Sequence, residues 1–251
     1  MAIEVDYRLP PGASARRQAE AIAVGQTAGT WDSRFAHRSE RLTSHLGQVV
    51  DVREEDGFAV ATVRFPEENV EGDIPSLLTM IFGKYSMAGP AKVVAVRLPD
   101  GYGLRPRFGV AGIRRRLNVF DRPLVMAIFK PALGLSAADH GAMFAELAGA
   151  GIDIVKDDEV MGDLASAPSL ERLRACLPAI EAARKHGREV LYAVNVTGRG
   201  ARVIETARKL VAEGANAILF NALSYGFAAL ESLASDPRVD VPIFVHPALA
   251  G

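Results

Sequence analysis

A surplus of one charge, a pair of cysteines and a long apolar run are all missing from this chain, and each absence removes a class of function. Lysine and arginine number 29 against 30 acidic residues, for a net charge of −1. Nothing in that balance draws the chain to nucleic acid or to an anionic membrane. The single cysteine, Cys176, cannot close an internal disulfide, which fits a reducing cytoplasm. It lies between Leu173 and Leu177 on an apolar helix face, the setting of a buried inert thiol rather than a nucleophile. No apolar stretch approaches the roughly 18 residues of a membrane span, and the N-terminus lacks a signal-peptide pattern. What is present is ordinary globular composition, 49% hydrophobic over 251 residues, enough for one large core or two domains.

The first hundred residues read as a small α+β domain. Ile3 to Tyr7 suits a short strand, and Ala13 to Val24 a helix after a Pro-Pro-Gly turn. Two apolar-rich strands, His45 to Arg53 and Phe58 to Phe65, flank an acidic turn ending in Asp56-Gly57, a hairpin signal. Pro75 to Phe82 reads as a helix with proline at its start, and Ala91 to Leu98 as a further strand. The order βαββαβ predicts a ferredoxin-like sandwich. Residues 99–122 match neither period well and read as a linker, with Arg114-Arg115-Arg116 a solvated face rather than a phosphate grip. The expected domains are therefore residues 1–122 and 123–251.

From Leu124 the chain alternates. Apolar runs end at Lys130, Lys156, Asn195, Asn221 and His246, separated by helical stretches at 137–150, 169–186, 201–213 and 228–234. Repeated β-then-α units imply a parallel sheet. Every strand ends on a polar group able to hold a ligand, which favours a (β/α)₈ TIM barrel over a doubly wound sheet, where such groups gather at one switch point. Only about five of the eight barrel strands are accounted for, so the expectation is an incomplete barrel lacking roughly the last three units. Such a piece, expressed alone, is expected to aggregate through its open interior.

The most informative segment is Gly151-Ile-Asp-Ile-Val-Lys-Asp-Asp-Glu159, where an apolar run breaks into Lys156, Asp157, Asp158 and Glu159. Carboxylates at a strand end suit a hard cation such as Mg²⁺; a charged turn before a helix reads equally well from these residues alone. Asp157 has the opposite parity to Lys156 and Asp158 and is expected to point out of the pocket.

Four motifs together carry a resemblance. Phe129-Lys-Pro-Ala-Leu-Gly-Leu-Ser136 and Lys156-Asp-Asp-Glu159, with Gly29-Thr-Trp31 and Phe82-Gly-Lys84 in the first domain, resemble the RuBisCO large chain, in that order and over essentially the whole sequence. The resemblance implies a ferredoxin-like domain before a barrel and a homodimer as smallest functional unit. It implies that Lys156 is carbamylated by CO₂ and joins Asp158 and Glu159 in holding Mg²⁺. It also implies that each active site pairs the barrel of one subunit with the first domain of the other, so that Thr30 and Trp31 cover substrate from the partner; Trp31 reads equally well as part of the interface core.

The departures point to a branch of that family. RuBisCO has a second lysine where this chain has Ala132, a catalytic glutamate where Gly25 falls, an asparagine where Lys84 stands, and a phosphate-gripping arginine where Pro247 follows His246. These losses argue against carboxylation and place the chain with RuBisCO-like proteins. Within that branch, Phe82-Gly-Lys84, Tyr192-Ala-Val-Asn-Val-Thr-Gly-Arg199 and His246-Pro-Ala248 are similar to the methionine-salvage enolase of 2,3-diketo-5-methylthiopentyl-1-phosphate. There the lysine matching Lys84 is the general base. The expected function is a Mg²⁺-dependent enolase or isomerase of a phosphorylated keto-sugar or methylthio analogue, with Lys84 or Lys130 taking the proton and Asn195, Asn221 and His246 contacting substrate or orienting the carbamate. Two alternatives stay open: a decarboxylase of a branched oxo-sugar-acid phosphate, and an inactive truncated remnant or assembly partner. His37, His45, His140 and His186 are read as surface residues.

Overall fold

The computed structural model describes residues 2–12, 14–87 and 89–250. It divides into two compact units, Met1–Gly103 and Leu104–Gly251.

In the first unit, β1 (Ala2–Leu9), α1 (Ala15–Gly25), α2 (Ser39–Ser44), β2 (Gln48–Glu55), β3 (Phe58–Pro66), α3 (Ile74–Phe82) and β4 (Lys92–Arg97) follow one another. Strand order β2-β3-β1-β4, antiparallel throughout, makes this the expected ferredoxin-like sandwich. Period-2 alternation builds its core: Ile3, Val5, Tyr7 and Leu9 of β1 face inward beside Ala59, Ala61, Val63 and Phe65 of β3. Helix α1 offers Ala15, Ala19, Ile22 and Ala23, a stripe at helical spacing, and α3 adds Leu77, Met80 and Ile81. The hairpin turns through Asp56 (φ 51) and Gly57 (φ 77), the left-handed pair that matches strand twist. Helix α1 starts at Ala15; Ala13 lies outside the described residues. A short 3₁₀ turn, Ser33–Arg38, runs into α2 in a stretch the sequence left unassigned.

The second unit contains α4 (Gly109–Leu117), β5 (Met126–Ile128), α5 (Ala137–Gly149), β6 (Ile154–Lys156), α6 (Ser169–Lys185), β7 (Leu191–Asn195), α7 (Val203–Ala212), β8 (Ala217–Phe220), α8 (Ala222–Tyr225), α9 (Phe227–Ser235) and β9 (Ile243–Val245). The strands are parallel and lie in simple sequence order, β5 to β9. A doubly wound sheet reverses direction at a switch point; this one never does, and so forms part of a barrel wall. Helix α5 begins with a capping box, Ser136 and Asp139 exchanging side-chain to backbone bonds.

Two expectations are corrected here. Residues 99–122 are not all linker, because Gly109–Leu117 is a helix closed by Asn118 in the left-handed conformation. Only Gly112 and Leu117 of that helix are buried, too few apolar positions to reveal a period. Its arginines are also more than a solvated face. Arg114 Nη1 donates to the carbonyls of Val119 and Arg122 at 3.0 Å each, and Arg116 Nη2 to that of Asp240 at 2.8 Å. The second correction is His140, which is buried: its Nδ1 lies 2.8 Å from the Ser136 carbonyl and its ring meets Phe129 edge-on. It shares a helix face with Phe144, one turn on, and that face packs on the sheet.

The two faces of the parallel sheet sort cleanly. Val155, Tyr192, Val194, Ile218 and Phe220 pack under the helices, whereas Ile154, Leu191, Ala193, Ala217 and Leu219 line the opposite, interior face with Leu117.

Candidate active site

Strand parity assembles the site. Ile154 and Lys156 share the interior face, as do Leu191, Ala193 and Asn195, so the polar residues that close these strands project beyond the apolar layer. Register aligns Ile128 with Lys156, which puts Lys130 on the same parity at the end of the neighbouring strand. Phe220 pairs with Val245, so His246 follows on the interior side of β9.

There the charged groups converge. Lys130 Nζ donates to Asp158 Oδ2 at 2.5 Å. Lys156 Nζ lies 3.7 Å from Glu159 Oε2 and donates to the Asp157 carbonyl at 2.9 Å. His246 Nε2 is 3.5 Å from the same Glu159 oxygen. Lys156 is buried, its side chain 9% exposed, whereas Lys130 is open to solvent. Burial works to raise the Asp158 pKa, but the bonds from Lys130 and the Val160 amide outweigh it and hold the carboxyl below its ordinary value. The same hydrogen bond to Asp158 holds the Lys130 ammonium above its own ordinary value. Lys130 therefore stands as a cation here and is poorly placed to accept a proton.

Asp157 points the other way, as alternation requires. Its carboxylate is fully buried and accepts from Arg172 Nη2 at 2.8 Å, Tyr192 Oη at 2.7 Å and the Asn195 amide at 2.8 Å. Burial, with the Asp157 charge beside it, pushes the Tyr192 hydroxyl far above its ordinary value, so it serves as a donor only. Asn195, expected to touch substrate, is wholly buried, and its amide is spent on the chain itself. Nδ2 donates to the carbonyls of Asp158 and Glu159 at 3.1 and 3.2 Å, and Oδ1 accepts from Thr197 at 2.8 Å. It holds the loop that carries the acids. Asn221 Nδ2 does likewise for the Glu159 carbonyl at 3.0 Å, while its buried Oδ1 has no hydrogen-bond partner among the described residues.

Lys84, Thr30 and Trp31 belong to the unit Met1–Gly103. Lys84 opens a 3₁₀ turn after α3, exposed, with its Nζ 5.4 Å from the Tyr85 ring centre. Gly83 before it has φ +38, a conformation that strains any L side chain, and a Cβ there would fall 1.9 Å from Gln26 Nε2, so glycine is favoured. Thr30 is exposed and Trp31 half-buried in the irregular segment after α1. Gly25, expected from the sequence to stand in place of a RuBisCO glutamate, is constrained by space alone: a Cβ would lie 2.6 Å from Tyr85 Oη, itself bound to the Ala21 carbonyl.

The ribulose bisphosphate carboxylase large-chain catalytic domain matches residues 109–251. The chain belongs to that family. It is 62% identical over 253 residues to a 2,3-diketo-5-methylthiopentyl-1-phosphate enolase of Microcystis aeruginosa, covering all of this chain and 66% of that protein. Among solved structures, the rubisco-like protein MtnW of Alicyclobacillus acidocaldarius superposes with TM-score 0.90 at 40% identity, over 100% of this chain and 66% of that one. The octameric RuBisCO of Pyrococcus horikoshii does so with TM-score 0.89 at 25% identity, over 99% and 61%. This RuBisCO-family chain thus spans just under two thirds of the length of its relatives.

A divalent metal fits these residues on one condition. Among the described residues no three histidine, cysteine or acidic side chains gather into a metal-holding group. Asp158 and Glu159 are hard oxygen donors, but each faces an ammonium instead of a third donor. Converting Lys156 to its carbamate removes one positive charge and supplies the missing anionic oxygen at that spot.

Proposed function

We propose that this chain belongs to an enolase acting on a phosphorylated methylthio diketone, without carboxylase activity. The observation that carries the proposal is 62% identity, over all of this chain and 66% of the relative, to a protein bearing that name, joined to the convergence of Lys130, Lys156, Asp158, Glu159 and His246 at one set of strand ends. In this reading Lys156 as carbamate, Asp158 and Glu159 hold Mg²⁺. When bound, Mg²⁺ supplies Lewis acidity that polarises the substrate carbonyl.

The chain's own groups do the rest. Enolisation moves a proton from the carbon beside a carbonyl to a base, while the C–H electrons form a C=C bond and the carbonyl electrons retreat to oxygen. Lys130, a solvent-facing cation, holds an anionic oxygen of the substrate. His246, beside Glu159, donates to a second oxygen. Lys84 is the base that takes the proton, a role carried by its match to the enolase motif Phe82-Gly-Lys84. Absence of carboxylation is supported by Ala132, Pro247 and Gly25, the last with its side-chain space filled by Tyr85. Self-association is supported by the octameric relative.

The test uses the full-length protein. Mg²⁺ affinity is measured with and without CO₂, and turnover of the methylthio diketone phosphate is followed by absorbance of the enol. Lys156→Ala is expected to erase both the CO₂ dependence and turnover; equal Mg²⁺ affinity with and without CO₂ in the parent rejects the carbamate.

A further inference from the structure

The pair Asp157–Arg172 is costly where it stands. Both side chains are 0% exposed, and taking two charges out of water costs several kcal/mol per ion before their attraction is counted. The guanidinium Nε is buried without a hydrogen-bond partner among the described residues, a further penalty. A well-packed apolar pair would often serve stability as well or better. The reason to keep the charges must lie in what they touch.

They touch the backbone of one loop. Arg172 projects from the first turn of α6, and its other contacts are the carbonyls of Met161 at 3.4 Å, Gly162 at 3.2 Å and Ala167. Asp157 sits between Lys156 and Asp158 in sequence, and its carboxylate is locked by Arg172, Tyr192 and the Asn195 amide. Asn195 in turn grips the carbonyls of Asp158 and Glu159. The side-chain bonds of Arg172 and Asp157 all end on the segment from 157 to 167 or on the strand beside it.

We propose that Arg172 and Asp157 are positioning residues for Lys156, Asp158 and Glu159, fixing from beneath the sheet the backbone that presents these three side chains. Guanidinium suits the task because its planar fork reaches several oxygens at once, which a single ammonium cannot do. The inference rests on the carbamate reading above and deepens it: the ligand trio is made by the interior face, but its geometry is set on the opposite one.

The test compares the full-length parent with Arg172→Lys and with the double variant Asp157→Asn/Arg172→Met, which leaves neither of these two positions charged. Three quantities are read: melting temperature, Mg²⁺ affinity under CO₂, and the ¹³C signal of the carbamate formed from ¹³CO₂. In the double variant the melting temperature is expected to stay near that of the parent, while Mg²⁺ affinity falls about 10–100-fold and the carbamate signal fades, the usual penalty for losing support behind metal ligands. A folded double variant with the parent's Mg²⁺ affinity and carbamate signal overturns the inference. If the double variant does not fold, Arg172→Lys decides: about tenfold weaker Mg²⁺ binding without a matching drop in melting temperature supports it, and unchanged binding, or loss only in step with melting, overturns it. A parent that shows no CO₂-dependent Mg²⁺ binding overturns the carbamate reading first and this inference with it, before any substitution is made.

Discussion

Lys130 Nζ donates to Asp158 Oδ2 at 2.5 Å across the ends of two adjacent parallel strands, so that an exposed cation rests on a buried carboxylate. That contact places a removable positive charge where Asp158 would serve a metal. In the proposed metal site the ammonium and a divalent ion would compete for the same oxygen.

Lys130→Met is therefore expected to tighten Mg²⁺ binding by a few-fold in the absence of substrate, by removing the competitor. Turnover is expected to fall by 100-fold or more, on the order of 3 kcal/mol in the barrier, with loss of the oxyanion partner. Calorimetry and steady-state kinetics check the two halves separately. Weaker Mg²⁺ binding in this variant contradicts competition.

Gly25→Glu is expected to destabilise the first unit by about 1–3 kcal/mol, because the new Cβ meets Tyr85 Oη at 2.6 Å and must displace a hydroxyl that holds the Ala21 carbonyl. Restoring the glutamate of RuBisCO, even with Ala132→Lys, is not expected to create carboxylation. Urea unfolding measures the first effect and labelled-CO₂ fixation into ribulose bisphosphate the second; fixation above background in the double variant rejects it.

The open face of the first sheet carries an acid-sensitive contact. Asp6 accepts two bonds from Arg97 at 2.7 and 3.0 Å, one from Thr62 and one from Arg53, and the Arg97 bonds dominate in pulling its pKa well below the ordinary 3.8. A depressed folded pKa means that the unfolded chain binds more protons in acid, so this contribution is fully present above about pH 4 and declines as pH falls below it. Asp6→Asn should lower stability at neutral pH and flatten the loss between about pH 4 and pH 2. Denaturant midpoints across that range decide; an unchanged acid limb rejects the assignment.

Cys176 is fully buried, and burial, followed by the nearby Asp157 charge, pushes its thiol far above the ordinary value. A thiol reagent at neutral pH is expected to leave it unmodified in the native protein and to label it fully in denaturant. Rapid native labelling contradicts the packing of α6 on the sheet.

Parts of this molecule were legible from local pattern. Alternation along Ile154-Val155-Lys156-Asp157 was enough to send Lys156 and Asp157 to opposite faces, since a strand has only two sides. The βα repeat and the helix stops were equally local, as Gly214 (φ +106) closing α7 illustrates. Other features escaped. His140 looks polar in a list of residues, yet its helix face is apolar and covers Phe129. Arg172 shares a buried stripe with Ser169, Leu173, Cys176 and Ile180, where a charged residue signals a partner across the fold that only the structure names. Asn195 was expected at the substrate, and only the chain path shows its amide used up on the Asp158 and Glu159 carbonyls.

By itself, then, the sequence determined which polar residues close the strands and on which side of each strand they stand, because periodicity and strand-end polarity are properties of short segments. The tertiary structure decided who meets whom. Lys130 reaches Asp158 from 28 residues away, Tyr192 reaches Asp157 from 35, and His246 comes beside Glu159 only because β9 closes on β8. Such pairings depend on the order in which strands join the sheet, and no local pattern carries that order; it is fixed when the apolar faces find the one arrangement that buries them together.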